Sequence, residues 1–191
     1  DCKCLFAFKG WGDEFDTDDG FSGNVQFGLA VRDPRIADQS QSNGFESDNC
    51  ADGSAVSPYT SATFSNITFI GPKQDPSFVN TTDYINGGSL FPNNGSGLGK
   101  YQAAMQLRRN SKLNCFNSIA LGYPIGLILD NQKGDTQGAA TKGQLKLQNI
   151  WFANMDAIGT DANKLYDDVL VTGYDANSKP VTDNTKKSFS D

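Results

Sequence analysis

The sequence predicts an all-β fold, a parallel β-helix built from stacked coils, and three observations support this. Three stretches share one template of alternating apolar residues with an asparagine in the same place, at 61–71, 112–122 and 144–154. Each comes with a short second strand that ends in polar residues, at 104–110, 126–131 and 157–162. The alternation has period two, and no long window keeps a helical period. A repeat that cannot bury its own apolar face must stack on its neighbours, which indicates a solenoid.

Two earlier stretches, 2–20 and 24–49, fit the same plan more loosely, so five coils are expected. Asn66, Asn117 and Asn149 occupy equivalent places. An asparagine tolerates a left-handed backbone, so each could form a bend and bond its counterpart in the next coil. The alternatives are three unrelated turn asparagines and a β-sandwich, which explains short strands but not their repeated residue order.

The amino-acid composition excludes several classes of function. The chain has 191 residues, enough for one domain with a substantial core, and a net charge of −6 with a pI near 4.6. This charge predicts no nucleic-acid partner, and no apolar run is long enough to span a membrane. The chain has no histidine, which excludes Ser-His-Asp and Cys-His catalysis. Cys115 takes the template place of Phe64 and Leu147 and is expected in the core, and Cys4 is also expected to point inward.

The coils are expected over residues 1–162, with loop insertions at 33–43, 50–60 and 71–100 and a polar C-terminal extension at 163–191. Residue 1 falls almost directly in a strand-like pattern with no capping segment before it. Since an uncapped solenoid end exposes strand edges, we expect the C-terminal part of a longer solenoid, or another chain covering this end.

The insertion at 71–100 carries four aromatic candidates for ligand binding. Long excursions on a repeat fold often carry recognition, and aromatic rings there could stack on sugars or instead pin the loop to the body. The four residues are Phe78, Tyr84, Phe91 and Tyr101.

Aligning the second strands places like residues in columns. One inward column contains Phe15, Phe45, Met105, Leu127 and Ile158, and the outward column beside it contains Asp16, Glu46, Gln106, Ile128 and Gly159. Adjacent strands lie about 4.8 Å apart, so carboxylates from neighbouring coils would face each other. We call Asp16, Asp18, Glu46 and Asp48 the predicted acidic set.

Such carboxylates repel one another unless a cation intervenes. Arg108 lies between Asp48 and Asp130 in the column just past the strand and could bridge carboxylates, and Ca²⁺ could bind their oxygens together with those of Asp13 and Asp19. The column could equally be solvated turn chemistry with an arginine salt bridge, or a catalytic site. The stretch DTDDG is not an EF-hand loop, because the terminal glutamate and flanking helices are missing.

The stretches GWGDEFDTDDGFSGNVQF (10–27) and NGFESDN (43–49) resemble secreted and cell-surface right-handed parallel β-helix proteins of Bacteroidetes, in the pectin-lyase-like superfamily. The resemblance implies a right-handed β-helix and a secreted or outer-surface location. It also implies polysaccharide ligands, with Ca²⁺ held by aspartates in lyase members and Lys or Arg as base. The Gly-His-Gly element of the superfamily's hydrolases is missing here.

Two functions lead. The first is a non-catalytic surface or secreted protein that binds a glycan or a surface protein through its loops, stabilised by Ca²⁺. The second is a calcium-dependent polysaccharide lyase acting on uronates, with Arg108 or Arg109 as base, although a guanidinium is a poor base. A purely structural spacer is the third alternative.

Overall fold

The computed structural model describes residues 1–38, 40–81, 99–160, 173–174 and 180–181. It is a parallel β-helix, which confirms the predicted fold class. Sheet 1 contains β1 (Cys2–Lys3), β2 (Phe6–Phe8), β4 (Asn24–Val31), β6 (Thr63–Ile70), β8 (Asn114–Leu121) and β10 (Lys146–Ala153). Sheet 2 contains β3 (Phe15–Thr17), β5 (Phe45–Ser47), β7 (Ala103–Leu107), β9 (Ile125–Leu129) and β11 (Ala157–Thr160).

Each coil gives one stretch to sheet 1 and then one short strand to sheet 2. Sheet 1 runs in the order β1-β4-β6-β8-β10 with β2 also paired to β4, and sheet 2 runs β11-β9-β7-β5-β3. Every pairing in both sheets is parallel. Five coils therefore stack in chain order, as the five repeated stretches predicted.

The connections between strands contain the expected insertions and two short helices. The segments 32–44, 48–62 and 71–102 follow β4, β5 and β6, and the third begins with a 3₁₀ turn at Pro72–Gln74. Helix α1 (Thr136–Thr141) lies between β9 and β10, where no helix was expected. It begins where the Asp135 side chain accepts a hydrogen bond from the Gly138 N–H at 3.0 Å.

Residues 163–191 were expected to form a polar extension. Within them the structure describes β12 (Gly173–Tyr174) and β13 (Pro180–Val181), which pair antiparallel. Among the described residues, no helix has the length and apolar character needed to cross a membrane.

A left-handed bend divides each stretch of sheet 1 into two halves. Asn66, Asn117 and Asn149 have φ of +56°, +49° and +57°, and Asn149 Nδ2 donates to Asn117 Oδ1 at 3.0 Å. The predicted bend and the predicted contact between these two asparagines are therefore confirmed. Cys4 and Phe27 occupy the same column in the first two coils, with φ of +57° and +59°.

The core lies between the sheets and is built of inward columns. Val25, Phe64, Cys115 and Leu147 are register partners and are all buried, which confirms the core position of Cys115. Phe64 also belongs to a group of four phenylalanine rings from three coils, with Phe45 4.5 Å from Phe64 and 4.7 Å from Phe69, both edge-on. Edge-to-face rings at such distances add to the stabilisation from burial. The fourth ring is that of Phe15.

Two predicted placements were wrong. Gly159, not Ile158, pairs with Leu127, so the last coil is shifted by one residue. The segment AIGT offers few large side chains whose burial would mark the inward phase. Cys4 is exposed because it lies at the left-handed bend, where the alternation of the strand is interrupted.

A buried ion pair fixes the approach to β3. Arg32 Nη1 lies 2.5 Å from Glu14 Oε1, and both side chains are 1% exposed or less. The same guanidinium donates to the Gly12 carbonyl at 2.7 Å and lies over the Tyr101 ring, 5.0 Å from its centre. Glu14 directly precedes β3, so this pair holds the start of β3 against the end of β4.

We expect Phe27→Asn to stabilise the fold, because a left-handed backbone costs a residue with a Cβ about 1–2 kcal/mol and asparagine tolerates it better. Phe27 is half exposed, so little burial is lost. Thermal unfolding should show a midpoint roughly 2–4 °C higher. Phe8→Asn is the matched control, since Phe8 is equally exposed but extended, and it should give no increase. An unchanged or lower thermal midpoint for Phe27→Asn would contradict the idea that the left-handed backbone at Phe27 is strained.

Glu14→Gln should destabilise the protein by about 3 kcal/mol, because it leaves the Arg32 guanidinium buried without its carboxylate. Urea unfolding measures this loss. Lys9→Gln is the control, because the Lys9–Asp33 pair is half exposed, and it should change stability by roughly 0.5 kcal/mol or less. Equal losses of unfolding free energy in the two variants would show that the buried ion pair stabilises the fold no more than the exposed pair does.

Candidate functional site

The outer face of sheet 2 carries the charged column that the sequence predicted. Asp16 on β3 pairs in register with Glu46 on β5, and Glu46 pairs with Gln106 on β7. Gln106 in turn pairs with Ile128 on β9. The backbone ladder therefore brings two carboxylates from successive coils side by side.

Three carboxyl groups converge at one end of this column. Asp13, Asp16 and Glu46 each place a carboxylate oxygen within 4.8 Å of the others, and we call them the acidic cluster. Asp13 lies in the turn before β3 and is fixed by the backbone N–H of Asn43, which donates to its Oδ1 at 2.5 Å. The cluster thus bridges the first and second coils.

Two arginines adjoin the cluster on its other side. Arg108 donates through Nε to Asp48 at 2.8 Å, and its Nη2 lies 2.5 Å from Glu46 Oε1. Arg109 Nη1 donates to the second oxygen of Asp48 at 2.6 Å. The backbone is left-handed at Arg109, so the chain turns at once after β7 while both guanidinium groups contact Asp48. Arg108 therefore bridges carboxylates as predicted.

Burial and mutual repulsion make the cluster hard to ionise. The pKa of Glu46 is raised to about 8 by burial first and by the charge of Asp13 next, against the opposing effect of Arg108. The pKa of Asp16 is raised to about 6 by partial burial and by Asp13 and Asp18. Burial also raises the pKa of Asp13, although bonds from Asn43 act against it. At neutral pH the cluster therefore holds protons or needs a cation.

The predicted acidic set is only partly the observed cluster. Asp16 and Glu46 belong to both. Asp48 is instead bonded by the two arginines, and Asp18 is exposed and acts on Asp16 through its charge. Asp13 completes the group because the turn before β3 folds back onto Asn43.

The aromatic candidates of the long insertion have different places. Tyr101 has no exposed surface, and its hydroxyl donates to the carbonyls of Asp33 and Ile36. Phe78 packs edge-on against the Tyr101 ring at 5.8 Å. A ligand cannot reach Tyr101 here, so its assignment to a binding surface is corrected to pinning the loop. Tyr84 and Phe91 lie outside the described residues.

Sequence reasoning missed Glu14 and Arg32, which hold β3 in place. A signal existed for Arg32, since Ala30 is buried and alternation places residue 32 on the same inward side. A buried arginine requires a carboxylate partner, and Glu14 supplies it.

Comparison with models of protein families shows which family the chain belongs to. The family described as the pectate-lyase like beta helix domain matches residues 1–189. The chain belongs to this family. Neither the curated proteins nor the solved structures contain a match to this pectate-lyase-like chain. The family accounts for the coil architecture.

The stability of this pectate-lyase-like domain should fall as pH rises through the pKa values of the cluster. The folded state keeps protons on Glu46, with a pKa near 8 against an ordinary 4.5, that the unfolded state has released. Without divalent cations, the melting temperature should therefore decrease from about pH 5 to about pH 8.

Glu46→Gln tests this cause, because glutamine keeps the shape and removes the titration. It should flatten the pH dependence and raise the melting temperature at high pH relative to the unmodified chain. Asp156→Asn is the control, since Asp156 lies outside the cluster and pairs with Lys73. A profile that is as steep in Glu46→Gln as in the unmodified chain would rule out this origin.

Proposed function

We propose that this chain is a secreted or cell-surface polysaccharide-binding β-helix domain whose acidic cluster takes a divalent cation, Ca²⁺, and binds acidic glycans without cleaving them. The observation that carries the proposal is the convergence of three carboxyl groups from two coils within 4.8 Å. The acidic composition and the resemblance to surface β-helix proteins support the location.

The donor set fits a hard cation. Ca²⁺ prefers six to eight oxygen ligands, with carboxylates foremost. Asp13, Asp16 and Glu46 offer six carboxylate oxygens, of which one accepts the Asn43 N–H and one faces Arg108. The remaining oxygens supply part of a coordination shell and leave positions for water or sugar oxygens.

The charge balance also supports a divalent ion. When all are ionised, the acidic cluster and Asp48 present four negative charges, and Arg108 and Arg109 present two positive ones. At least two negative charges remain, and Asp18 adds to them, so a divalent cation offsets the excess. Bound there, the ion would relieve the repulsion and attract uronate carboxylates and hydroxyls, while the partly exposed Arg109 adds a second positive group.

The lyase alternative requires a base that removes a proton beside the uronate carboxylate. Arg108 fits this role poorly. Burial works to lower its pKa, but the charges of Glu46 and Asp48 outweigh burial, and the pKa is raised. Its guanidinium is also bonded to both carboxylates. These contacts favour a structural and binding role over proton abstraction.

Calcium should raise the melting temperature relative to chelator, because a ligand that binds only the folded state stabilises it by about 2.7 kcal/mol at a hundredfold excess over its Kd. Asp16→Asn should lose most of that shift, and Asp52→Asn, in the exposed loop after β5, should keep it. A melting temperature that is identical with calcium and with chelator would exclude the cation site.

Calorimetric titration with short oligogalacturonides, in calcium and in chelator, tests whether the chain binds an acidic glycan. Binding should require calcium and be lost in Asp16→Asn. Absorbance of the unsaturated product is followed in the same samples. A rise in that absorbance would replace the binding function by the lyase, and an absence of heat would exclude this glycan class.

A further inference from the structure

A second surface, unrelated to the acidic cluster, lies on the outside of sheet 1 beyond the bend. There the outward side chains of successive coils are in register in two columns, which we call the apolar face. The first column is Phe6, Leu29, Thr68, Ile119 and Trp151, and the second is Phe8, Val31, Ile70, Leu121 and Ala153.

The apolar face is open to solvent. Trp151 is 73% exposed, Phe6 63% and Phe8 57%, and Leu29, Ile119 and Leu121 are also exposed. None of its ten residues is charged. Soluble proteins seldom expose contiguous apolar surface of this kind unless it binds something. At its border, Lys9 is paired with Asp33 and Lys73 with Asp156, so the surface offers no net charge to a partner.

We propose that the apolar face is a second glycan-binding surface, which takes a neutral polysaccharide whose sugar rings stack on Phe6, Phe8 and Trp151. The apolar C–H faces of pyranose rings pack on exposed aromatic rings, and an uncharged chain matches an uncharged surface. Phe6 and Phe8 lie on β2 in the first coil, and Trp151 lies on β10 in the last coil. The aromatic rings therefore stand at opposite ends of the stacked coils.

The shape of the face suits a linear polymer, because two columns run across five coils. Five coils at about 4.8 Å and four residues of strand at about 3.3 Å each give a strip roughly 24 Å long and 13 Å wide. A polysaccharide chain running across the coils needs only a narrow strip.

Two of the three aromatic side chains, Phe6 and Phe8, are already stacked on each other. The Phe6 and Phe8 rings lie 5.7 Å apart and nearly parallel, at 15°, and Lys9 Nζ lies 5.3 Å from the Phe8 ring centre. Rings held in place in this way lose little conformational freedom when a ligand binds. A sugar ring that packs on them extends an existing stack.

A polar groove lies on the same strands on the other side of the bend. It has a volume of about 260 Å³ and could supply hydrogen bonds to sugar hydroxyls. Its polar lining comes from Asp1, Lys3, Asn24, Gln26, Thr63 and Ser65. An apolar strip beside polar side chains matches the two-sided chemistry of a neutral sugar chain.

The test is retention of the full chain on insoluble neutral polymers: cellulose, β-1,3-glucan and chitin. The unmodified chain should bind at least one of them, and Trp151→Ala should weaken that binding about tenfold, as expected when an aromatic anchor is removed. Phe6→Ala should weaken it as well. Chelator and Asp16→Asn should have no effect, which separates this surface from the acidic cluster.

Phe21→Ala is the matched control, since Phe21 is an exposed phenylalanine outside the face, and it should bind normally. Melting temperatures of all variants confirm folding, because these side chains are exposed. The proposal is overturned if no polymer retains the chain, or if Trp151→Ala is retained as well as the unmodified chain. Light scattering that shows a dimer dissociated by Trp151→Ala would instead assign the face to self-association.

Discussion

Register between successive coils is the constraint on which both the fold and the charged site depend. Parallel backbone bonds place equivalent residues of neighbouring coils about 4.8 Å apart, and neither can move away. For Phe15 and Phe45 this proximity is favourable, since their rings pack at 5.8 Å. For Asp16 and Glu46, one residue further along the same strands, it is costly. The same ladder that builds the core therefore forces the carboxylates together, and something else must relieve their repulsion.

The repulsion between the carboxylates is relieved unevenly across the site. Towards the third coil, Arg108 and Arg109 bond Asp48, and Arg108 also reaches Glu46. Towards the first coil, Asp13 and Asp16 face Glu46 and accept no hydrogen bond from Arg108 or Arg109, so the chain itself relieves the repulsion there by protonation. Under the proposed function, a cation would compete with protons for the carboxyls that the arginines leave unneutralised. The affinity proposed for the cation would then rise with pH.

Much of this geometry could be predicted from the sequence, because side-chain direction in a strand has a fixed period. Alternation alone placed Asp16 opposite Glu46 and Cys115 between Phe64 and Leu147. It failed where no large side chain marks the phase, as at Gly159. It also could not assign Asp13 to the cluster, because that position depends on a turn held by the Asn43 N–H and by the distant Arg32–Glu14 pair.

The bend column explains why one sheet can present two different surfaces. The left-handed residue in each long stretch reorients the strand, so the half before the bend shows polar side chains and the half after it shows apolar ones. Since every coil repeats the bend, both strips run along the stacking direction rather than along the strands. Surfaces that repeat once per coil match ligands that also repeat. A polymer meets equivalent contacts at each step, whereas a small molecule would use only one coil.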